Sequence, residues 1–267
     1  MASIVEVEQG PDRKYMELWE AVAVLLAGVA AGGINAIAGS GTLFTFPVLL
    51  ALGYPPLTAT ISNSVGLAPG TLSGTIAYRR ELAGQRGRIL RLGSMSFLGA
   101  VTGALLLIYL PADVFETIVP YMIGFACVLI LLQPRIARWA RAHKPARPNG
   151  GPLMPFGAYL TGTYGGYFAA AQGIILLSFL GTALDDDLQR INALKNAMTT
   201  IVNSTAAVFY IVLAEPSWPV VGLIAVGTIV GGYLGARFGR RMSPAALRLC
   251  VVVVGLTAAV QLILGRL

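Results

Sequence analysis

The sequence predicts an all-α polytopic membrane protein made of two inverted repeats, each a broken re-entrant helical hairpin plus three transmembrane helices. Composition predicts the membrane class, because 56% of the 267 residues are hydrophobic and 12% are charged, whereas a soluble domain carries about 25% charged residues. Several apolar runs also reach the roughly 20 residues that a helix needs to cross a bilayer. A glycine-rich interruption that occurs once in each half of the chain predicts the repeats.

The first interruption lies at residues 35–41, between an apolar helix predicted at 17–34 and a short helix predicted at 42–52. Its glycines disfavour a continuous helix, since each costs a helix about 1 kcal/mol relative to alanine. Asn35 and Ser40 also place polar groups at membrane depth, where irregular backbone is tolerated only if protein or a water-filled cavity covers it. The short helix cannot span a bilayer, so we predict a hairpin that enters and leaves on the same side.

A second, weaker interruption lies between helices predicted at 153–166 and 173–183. Asn63 and Asn196 occupy the same place in the helices that follow the two interruptions, at an offset of 133 residues. Interrupted apolar segments at corresponding positions of two halves are the best sequence indication of a secondary transporter's binding site. The pattern therefore predicts both a repeat and the place where a substrate binds.

Six further apolar runs are long enough to cross the bilayer, three in each half. They lie at 57–78, 92–110, 114–133, 190–213, 218–236 and 244–264. Because each half crosses the membrane an odd number of times, the second half is inverted relative to the first. The predicted organisation is a polar N-terminal tail at 1–16, a first repeat at 17–133, a basic cytoplasmic loop at 134–151 and a second repeat at 152–267.

Basic residues predict the orientation in the membrane. On this topology, 16 of the 19 Lys and Arg residues fall on one side. Because Lys and Arg near the ends of spans stay in the cytoplasm, we predict that this side is cytoplasmic and that both termini are external. The chain is then a multi-pass protein of the plasma or inner membrane. The net charge of +7 reflects this orientation, and we predict no nucleic-acid partner.

The small number of histidine and cysteine residues argues against an enzymatic function. The single histidine, His143, lies in a basic loop, and Cys127 and Cys250 lie inside predicted spans. Intramembrane proteases need paired histidines or a serine–histidine couple, so we predict no catalytic residue, no metal site and no cofactor. No acidic residue lies deep in a predicted span either, which leaves the coupling ion open.

The two short helices indicate an anion site, since each begins at an interruption. If both interruptions lie near the bilayer midplane, the helix N-termini approach it from opposite sides with unpaired N–H groups and partial positive charge. The predicted substrate-binding residues are Asn35, Gly39, Ser40, Gly41, Thr42, Asn63, Gln172, Gly173, Lys195 and Asn196. Lys195 has two interpretations, because its amine either reaches the cytoplasmic surface along its alkyl stem or attracts an incoming anion. For the glycines, the alternative is close helix packing.

Several motifs follow one another in a distinctive order. They are Gly32-Gly33 through Gly39-Ser40-Gly41, Phe46-Pro47, Leu52-Gly53-Tyr54-Pro55-Pro56, Ala59-Thr60, and Ser73-Gly74-Thr75 with Tyr78. In this order they resemble the sulfite exporter TauE/SafE family, and the resemblance extends over nearly the whole chain. It implies an inverted-repeat carrier that holds its substrate between the repeats. It also implies small anions such as sulfite, sulfoacetate, taurine or related sulfonates and carboxylates.

We therefore predict a secondary transporter that moves a small organic or sulfur-containing anion, sulfite-like or sulfonate-like, by alternating access between the repeats. Its predicted partners are this anion and the lipid bilayer, and a homodimer is left open. A channel-like anion pathway and a membrane-assembly factor without transport activity are the alternatives. Flux without saturation would indicate the channel, and interruptions that bind no small anion would indicate the assembly factor.

Overall fold

The computed structural model describes residues 16–37, 39–142, 150–238 and 244–265. All regular secondary structure in these residues is α-helical, which confirms the predicted all-α class. The helices are Leu18–Ile37 (α1), Thr42–Ala51 (α2), Pro56–Ala77 (α3), Arg86–Tyr109 (α4), Ala112–Ala142 (α5), Met154–Tyr167 (α6), Gln172–Ala183 (α7), Leu188–Leu213 (α8), Trp218–Phe238 (α9) and Pro244–Ile263 (α10). Residues 1–15 of the predicted tail and His143 lie outside the described residues.

Both predicted interruptions break the helical geometry. Between α1 and α2, Gly39 has a φ of 78°, in the left-handed region that favours glycine. Between α6 and α7, Ala169 and Ala171 adopt positive φ angles of 63° and 57°, a conformation that costs an L-residue with a side chain about 1–2 kcal/mol. The second interruption therefore holds backbone strain that the first avoids by using glycine.

Three helices extend three residues or more beyond their predicted ends. α1 continues to Ile37, so the irregular segment of the first interruption is shorter than predicted. α4 begins earlier, at Arg86, because arginine is a good helix former whose charge reaches the membrane surface from the first turns. α5 continues through Pro134 to Ala142, into the segment predicted as a basic loop.

Five of the described helices are long and apolar enough to cross a membrane, namely α1, α4, α5, α8 and α9. α3 has a sufficient length of 22 residues, but its threonine, serine and asparagine side chains lower its hydropathy. α2 and α7 are apolar but short. The helices that precede the two interruptions differ in length, because α1 has 20 residues and α6 has 14. These helices support a multi-pass membrane protein.

Helix packing follows one pattern when α1–α5 are matched in order with α6–α10. α1 packs along α9, and its counterpart α6 packs along α4. α3 contacts α9 as α8 contacts α4, and α5 contacts α7 as α10 contacts α2. The counterparts α3 and α8 contact each other, as do α5 and α10. These contacts between the halves therefore stay the same when each helix is replaced by its counterpart.

Glycine permits backbone contact where the helices that precede the interruptions pack on the other half. Between α1 and α9, a Cβ atom on Gly32 would lie 2.7 Å from Thr228 Cα. Between α4 and α6, a Cβ atom on Gly103 would lie 2.7 Å from the backbone nitrogen of Tyr167. Small residues allow such close approach of membrane helices. The helix that precedes each interruption is therefore held directly against a long helix of the other half.

Candidate functional site

The two interruptions meet in the interior. The Gly173 N–H at the start of α7 donates to the Gly39 carbonyl oxygen, with 3.0 Å between nitrogen and oxygen. A Cβ atom on Gly173 would lie 2.9 Å from that oxygen and closer still to Gly39 Cα. Because interiors are close-packed, a side chain at either position must push the two backbones apart. The structure therefore brings together two predicted site residues from opposite halves.

The N-terminus of α2 is held by Asn63 of α3. The Asn63 Nδ2 atom lies 3.4 Å from Thr42 Oγ1, and the Thr45 hydroxyl donates to Asn63 Oδ1. All three side chains are buried, and buried polar groups are stable when they are hydrogen-bonded. The sequence indicated Asn63 and Thr42 but missed Thr45, although a spacing of three residues places both threonines on one helix face.

Lys195 of α8 is fully buried, and its amine binds the C-terminal end of α1. The Nζ atom lies 3.0 Å from the Asn35 carbonyl oxygen and 3.5 Å from that of Ala36. Because 0% of the residue is exposed, the interpretation that its amine reaches the cytoplasmic surface is wrong. A cation interacts favourably with the partial negative charge of a helix C-terminus. Among the described residues, no carboxylate forms an ion pair with this amine.

Two asparagines of α8 flank Lys195 and bind the same end of α1. The Nδ2 atoms of Asn196 and Asn192 lie 3.4 Å and 3.5 Å from the Ala36 carbonyl oxygen. The sequence indicated Asn196 but missed Asn192, which lies four residues earlier on the same helix face. Asn196 and its counterpart Asn63 thus contact different elements, since Asn63 binds α2 of its own half and Asn196 binds α1 of the other half.

Gln172, the first residue of α7, has a buried side chain beside Gly165 of α6. Its Oε1 and Nε2 atoms have no hydrogen-bond partner among the described residues, and 1% of the residue is exposed. A Cβ atom on Gly165 would overlap the Gln172 amide, so this glycine provides the space for it. A buried polar group without a partner costs about 1–3 kcal/mol. The amide is therefore available to a polar ligand at the second interruption.

Ser40 and Gly41 complete the first interruption, and both are buried. The Ser40 carbonyl accepts the Leu43 N–H at 3.2 Å, and the Gly41 carbonyl accepts the Phe44 N–H at 2.9 Å. A Cβ atom on Gly41 would lie 3.0 Å from Asn35 Cβ, so glycine allows α2 to begin against α1. All ten predicted residues thus lie at the interruptions or on the helices that hold them.

Aromatic and apolar side chains pack against the interruptions. The ring of Phe168, at the second interruption, packs edge-to-face on that of Phe46 in α2, with 5.4 Å between ring centroids. Tyr78, which follows α3, forms a buried cluster with Ala36 at the end of α1 and with Ala193 of α8. Apolar packing therefore adjoins the polar groups of the interruptions in this conformation.

A polar cluster that the sequence did not indicate joins the two halves before α8. Asp186 accepts hydrogen bonds from Arg88 and from Arg190 Nε, the latter at 2.9 Å, and Gln85 Nε2 donates to the Arg190 carbonyl at 3.0 Å. Burial alone raises the pKa of Asp186. The hydrogen bonds from Arg88 and the Asp187 backbone N–H, together with the charge of Arg190, outweigh burial and lower the pKa. The carboxylate therefore stays ionised and links α4 to α8.

The polar groups at the interruptions are of few kinds. Within the part of the chain that the structure describes, no three His, Cys, Asp or Glu side chains are grouped closely enough to hold a metal ion. The interruptions instead carry amide and hydroxyl groups, a backbone N–H and one buried amine, most of which can donate a hydrogen bond.

Comparison with known proteins identifies the family. The family model described as sulfite exporter TauE/SafE matches residues 24–262. The chain is 28% identical over 234 residues to the probable membrane transporter protein YfcA of Escherichia coli strain K12, which covers 87% of this chain and 86% of that protein. It is 27% identical to a probable membrane transporter protein of Haemophilus influenzae, with 88% of this chain and 91% of that protein covered. It is 25% identical to the probable membrane transporter protein YdhB of Bacillus subtilis, with 90% and 97% covered. Because the match extends over most of the chain and confirms the resemblance seen in the motifs, the chain belongs to the sulfite exporter TauE/SafE family of membrane transporters.

Proposed function

We propose that this protein is a secondary transporter that moves a small organic or sulfur-containing anion, sulfite-like or sulfonate-like, by alternating access between two inverted repeats. The observation that carries the proposal is the direct contact between Gly39 and Gly173, which joins the two interruptions. The buried amine of Lys195 binds the end of α1 beside the first interruption, and the Gln172 amide, which has no partner among the described residues, begins α7 at the second. A sulfonate or sulfite offers the oxygen acceptors that such donors bind.

The packing pattern supports the inverted repeats. Each of the main helix contacts recurs when the two halves are exchanged, as expected for halves that share one fold. A hairpin that turns back at the midplane, followed by three crossings, places the second half in the opposite orientation. Transporters with this construction bind substrate at the repeat interface and expose it alternately to the two sides.

The contact between the interruptions supports alternating access. The Gly173 N–H already donates to Gly39, and the rings of Phe46 and Phe168 pack together where α2 meets the second interruption. An anion that accepts a hydrogen bond from this N–H must separate the two glycines. It then also accepts hydrogen bonds from the Gln172 amide and is attracted by the amine of Lys195. Substrate binding and movement of one repeat against the other are thereby coupled, because a ligand shifts a conformational equilibrium by its differential affinity for the two states.

Flux into proteoliposomes tests the proposal. We expect purified full-length protein to take up labelled sulfite or sulfoacetate with saturable kinetics and at a higher rate than empty vesicles. Uptake is measured with and without a pH gradient. Preloading with unlabelled anion should accelerate entry of label, since counterflow is typical of a carrier. Flux that rises linearly with concentration, with no counterflow, would instead identify a channel-like pathway. Absence of flux for both anions and for related carboxylates would favour a role in membrane assembly.

The orientation gives a separate prediction. In a variant with Cys127 and Cys250 replaced by serine, Ala83→Cys should react with maleimide only after the cells are opened. Glu215→Cys should react with a membrane-impermeant maleimide in intact cells. Both positions are exposed in the structure, so a difference in labelling reports the side of the membrane. Labelling in the reverse order would overturn the proposal that both termini are external.

A further inference from the structure

A basic pocket of about 360 Å³ lies where α4 and α8 begin. It is lined by Gly84, Gly87, Arg88, Arg91, Leu92 and Arg190. Every charged side chain among these described lining residues is an arginine. The nearby carboxylate of Asp186 pairs with two of the three, Arg88 and Arg190, and none of the described lining residues is itself acidic. The two glycines leave the pocket open, since a Cβ atom on either would meet nothing within 4 Å.

The pocket is separate from the interruptions. Along α8, Arg190 lines the pocket, Ala193 lies in the apolar cluster with Ala36 and Tyr78, and Lys195 binds the end of α1. None of the described lining residues of the pocket belongs to the interruptions or binds the end of α1. The function proposed for the interruptions therefore does not account for this pocket.

The side chains of the pocket match a phosphate group. A guanidinium group has five N–H donors in a planar fork that suits phosphate oxygens, and arginine is the preferred residue for this recognition. Arg190 uses Nε and Nη1 for Asp186 and the Ala83 carbonyl, and Arg91 donates to the Gly151 carbonyl at 3.5 Å. Each guanidinium group has five N–H donors, so Arg190 and Arg91 both keep donors that these hydrogen bonds do not use.

The position of the pocket places it at a membrane surface. Two helices with the length and composition of membrane spans, α4 and α8, begin beside it. Leu90, next to the lining residues on α4, is 65% exposed, so an apolar surface adjoins the arginines. Basic pockets between transmembrane helices at this depth bind anionic headgroups.

We propose that this pocket binds a phosphate group, carried by the headgroup of an anionic phospholipid or free in solution. The arginines contact the phosphate oxygens, and the open backbone at Gly84 and Gly87 leaves room for the group to approach. The exposed leucine beside the pocket accommodates an acyl chain when the phosphate belongs to a lipid. Occupancy of the pocket links the start of α4 to the start of α8 at a place distinct from the transport site.

Native mass spectrometry and thermal unfolding of the purified full-length protein test this proposal without any transport measurement. Phosphatidylglycerol is compared with phosphatidylcholine in one arm, and inorganic phosphate is compared with chloride in the other. Arg91→Gln should weaken binding about tenfold, since a hydrogen bond to a charged group has that strength. Gly87→Glu adds a carboxylate where the structure has open space and should abolish binding. Arg86→Gln, at an exposed arginine next to Gly87 that is not among the lining residues, is the matched control.

Two results support the proposal and identify the source of the phosphate. Selective retention of phosphatidylglycerol that both pocket variants lose indicates a lipid headgroup. A rise in the unfolding temperature with inorganic phosphate, lost in the same variants, indicates free phosphate. Failure of both ligands to bind the unmodified protein overturns the proposal. Equal weakening by Arg86→Gln and Arg91→Gln overturns it as well, because the effect would then be one of net charge.

Discussion

Gly173→Ala should lower anion flux about tenfold, a large effect for one added methyl group. The added Cβ would lie 2.9 Å from the Gly39 carbonyl oxygen, well inside the 3.5–4.0 Å of a relaxed carbon contact. Overpacking of this kind costs about 1–3 kcal/mol, and about 1.4 kcal/mol in a barrier is tenfold in rate. The strain falls on the backbone contact between Gly39 and Gly173. Saturable uptake into proteoliposomes, normalised to folded protein, measures the loss.

Two glycines provide matched controls. Gly181→Ala lies on the same helix with nothing within 4 Å of the new Cβ atom, so flux should stay unchanged while helix propensity improves. Gly39→Ala adds both the overlap and the cost of a positive φ of 78°, whereas Gly53→Ala, at a φ of 84° in open space, carries only the second cost. If Gly53→Ala and Gly39→Ala lose flux equally, backbone strain explains the result and contact between the interruptions does not.

Lys195→Met should raise the KM for the transported anion about ten- to a hundredfold. The substitution keeps the length and apolar stem of the side chain but removes the only positive charge that the structure places against Asn35 and Ala36 among the described residues. A hydrogen bond to a charged group contributes about 1.5–3 kcal/mol, which corresponds to this change in affinity. Initial rates across a range of anion concentrations separate KM from the maximal rate.

The control must distinguish attraction of the anion from support of α1. Asn192→Leu removes another hydrogen bond to the Ala36 carbonyl without changing charge. If Lys195 only caps the end of α1, both variants should lower the unfolding temperature and the yield, with KM unaffected. A raised KM in Lys195→Met alone, together with partial recovery in Lys195→Arg, would assign the effect to the charge.

Local physics made the interruptions predictable. Glycine and polar side chains inside an apolar run disfavour a continuous helix whatever the tertiary fold is, so the breaks around Gly39 and Ala169 lie where the sequence indicated. Helix ends were less predictable. Arg86 and Pro134 lie outside the predicted helices, but arginine favours helices and α5 tolerates an internal proline.

The pairing of the interruptions was not available from local physics. Lys195 and the Asn35 carbonyl are 160 residues apart in the chain, and no pattern in either segment specifies the other as its partner. The sequence therefore left Lys195 with two interpretations, and burial excludes the one in which its amine reaches the cytoplasmic surface. Thr45 and Asn192 were missed for the same reason, since an unremarkable threonine or asparagine acquires a role only from what packs against it.

The amino-acid sequence by itself determined the helical membrane class, the two broken segments and the family, because hydropathy, glycine placement and motif order are properties of the chain. Only the tertiary structure decided that Gly39 touches Gly173, that Lys195 binds the end of α1, and that Arg88 and Arg190 share Asp186 at the edge of a basic pocket. These contacts follow from close packing between distant segments, in which shape and hydrogen bonding across the two halves select the partners.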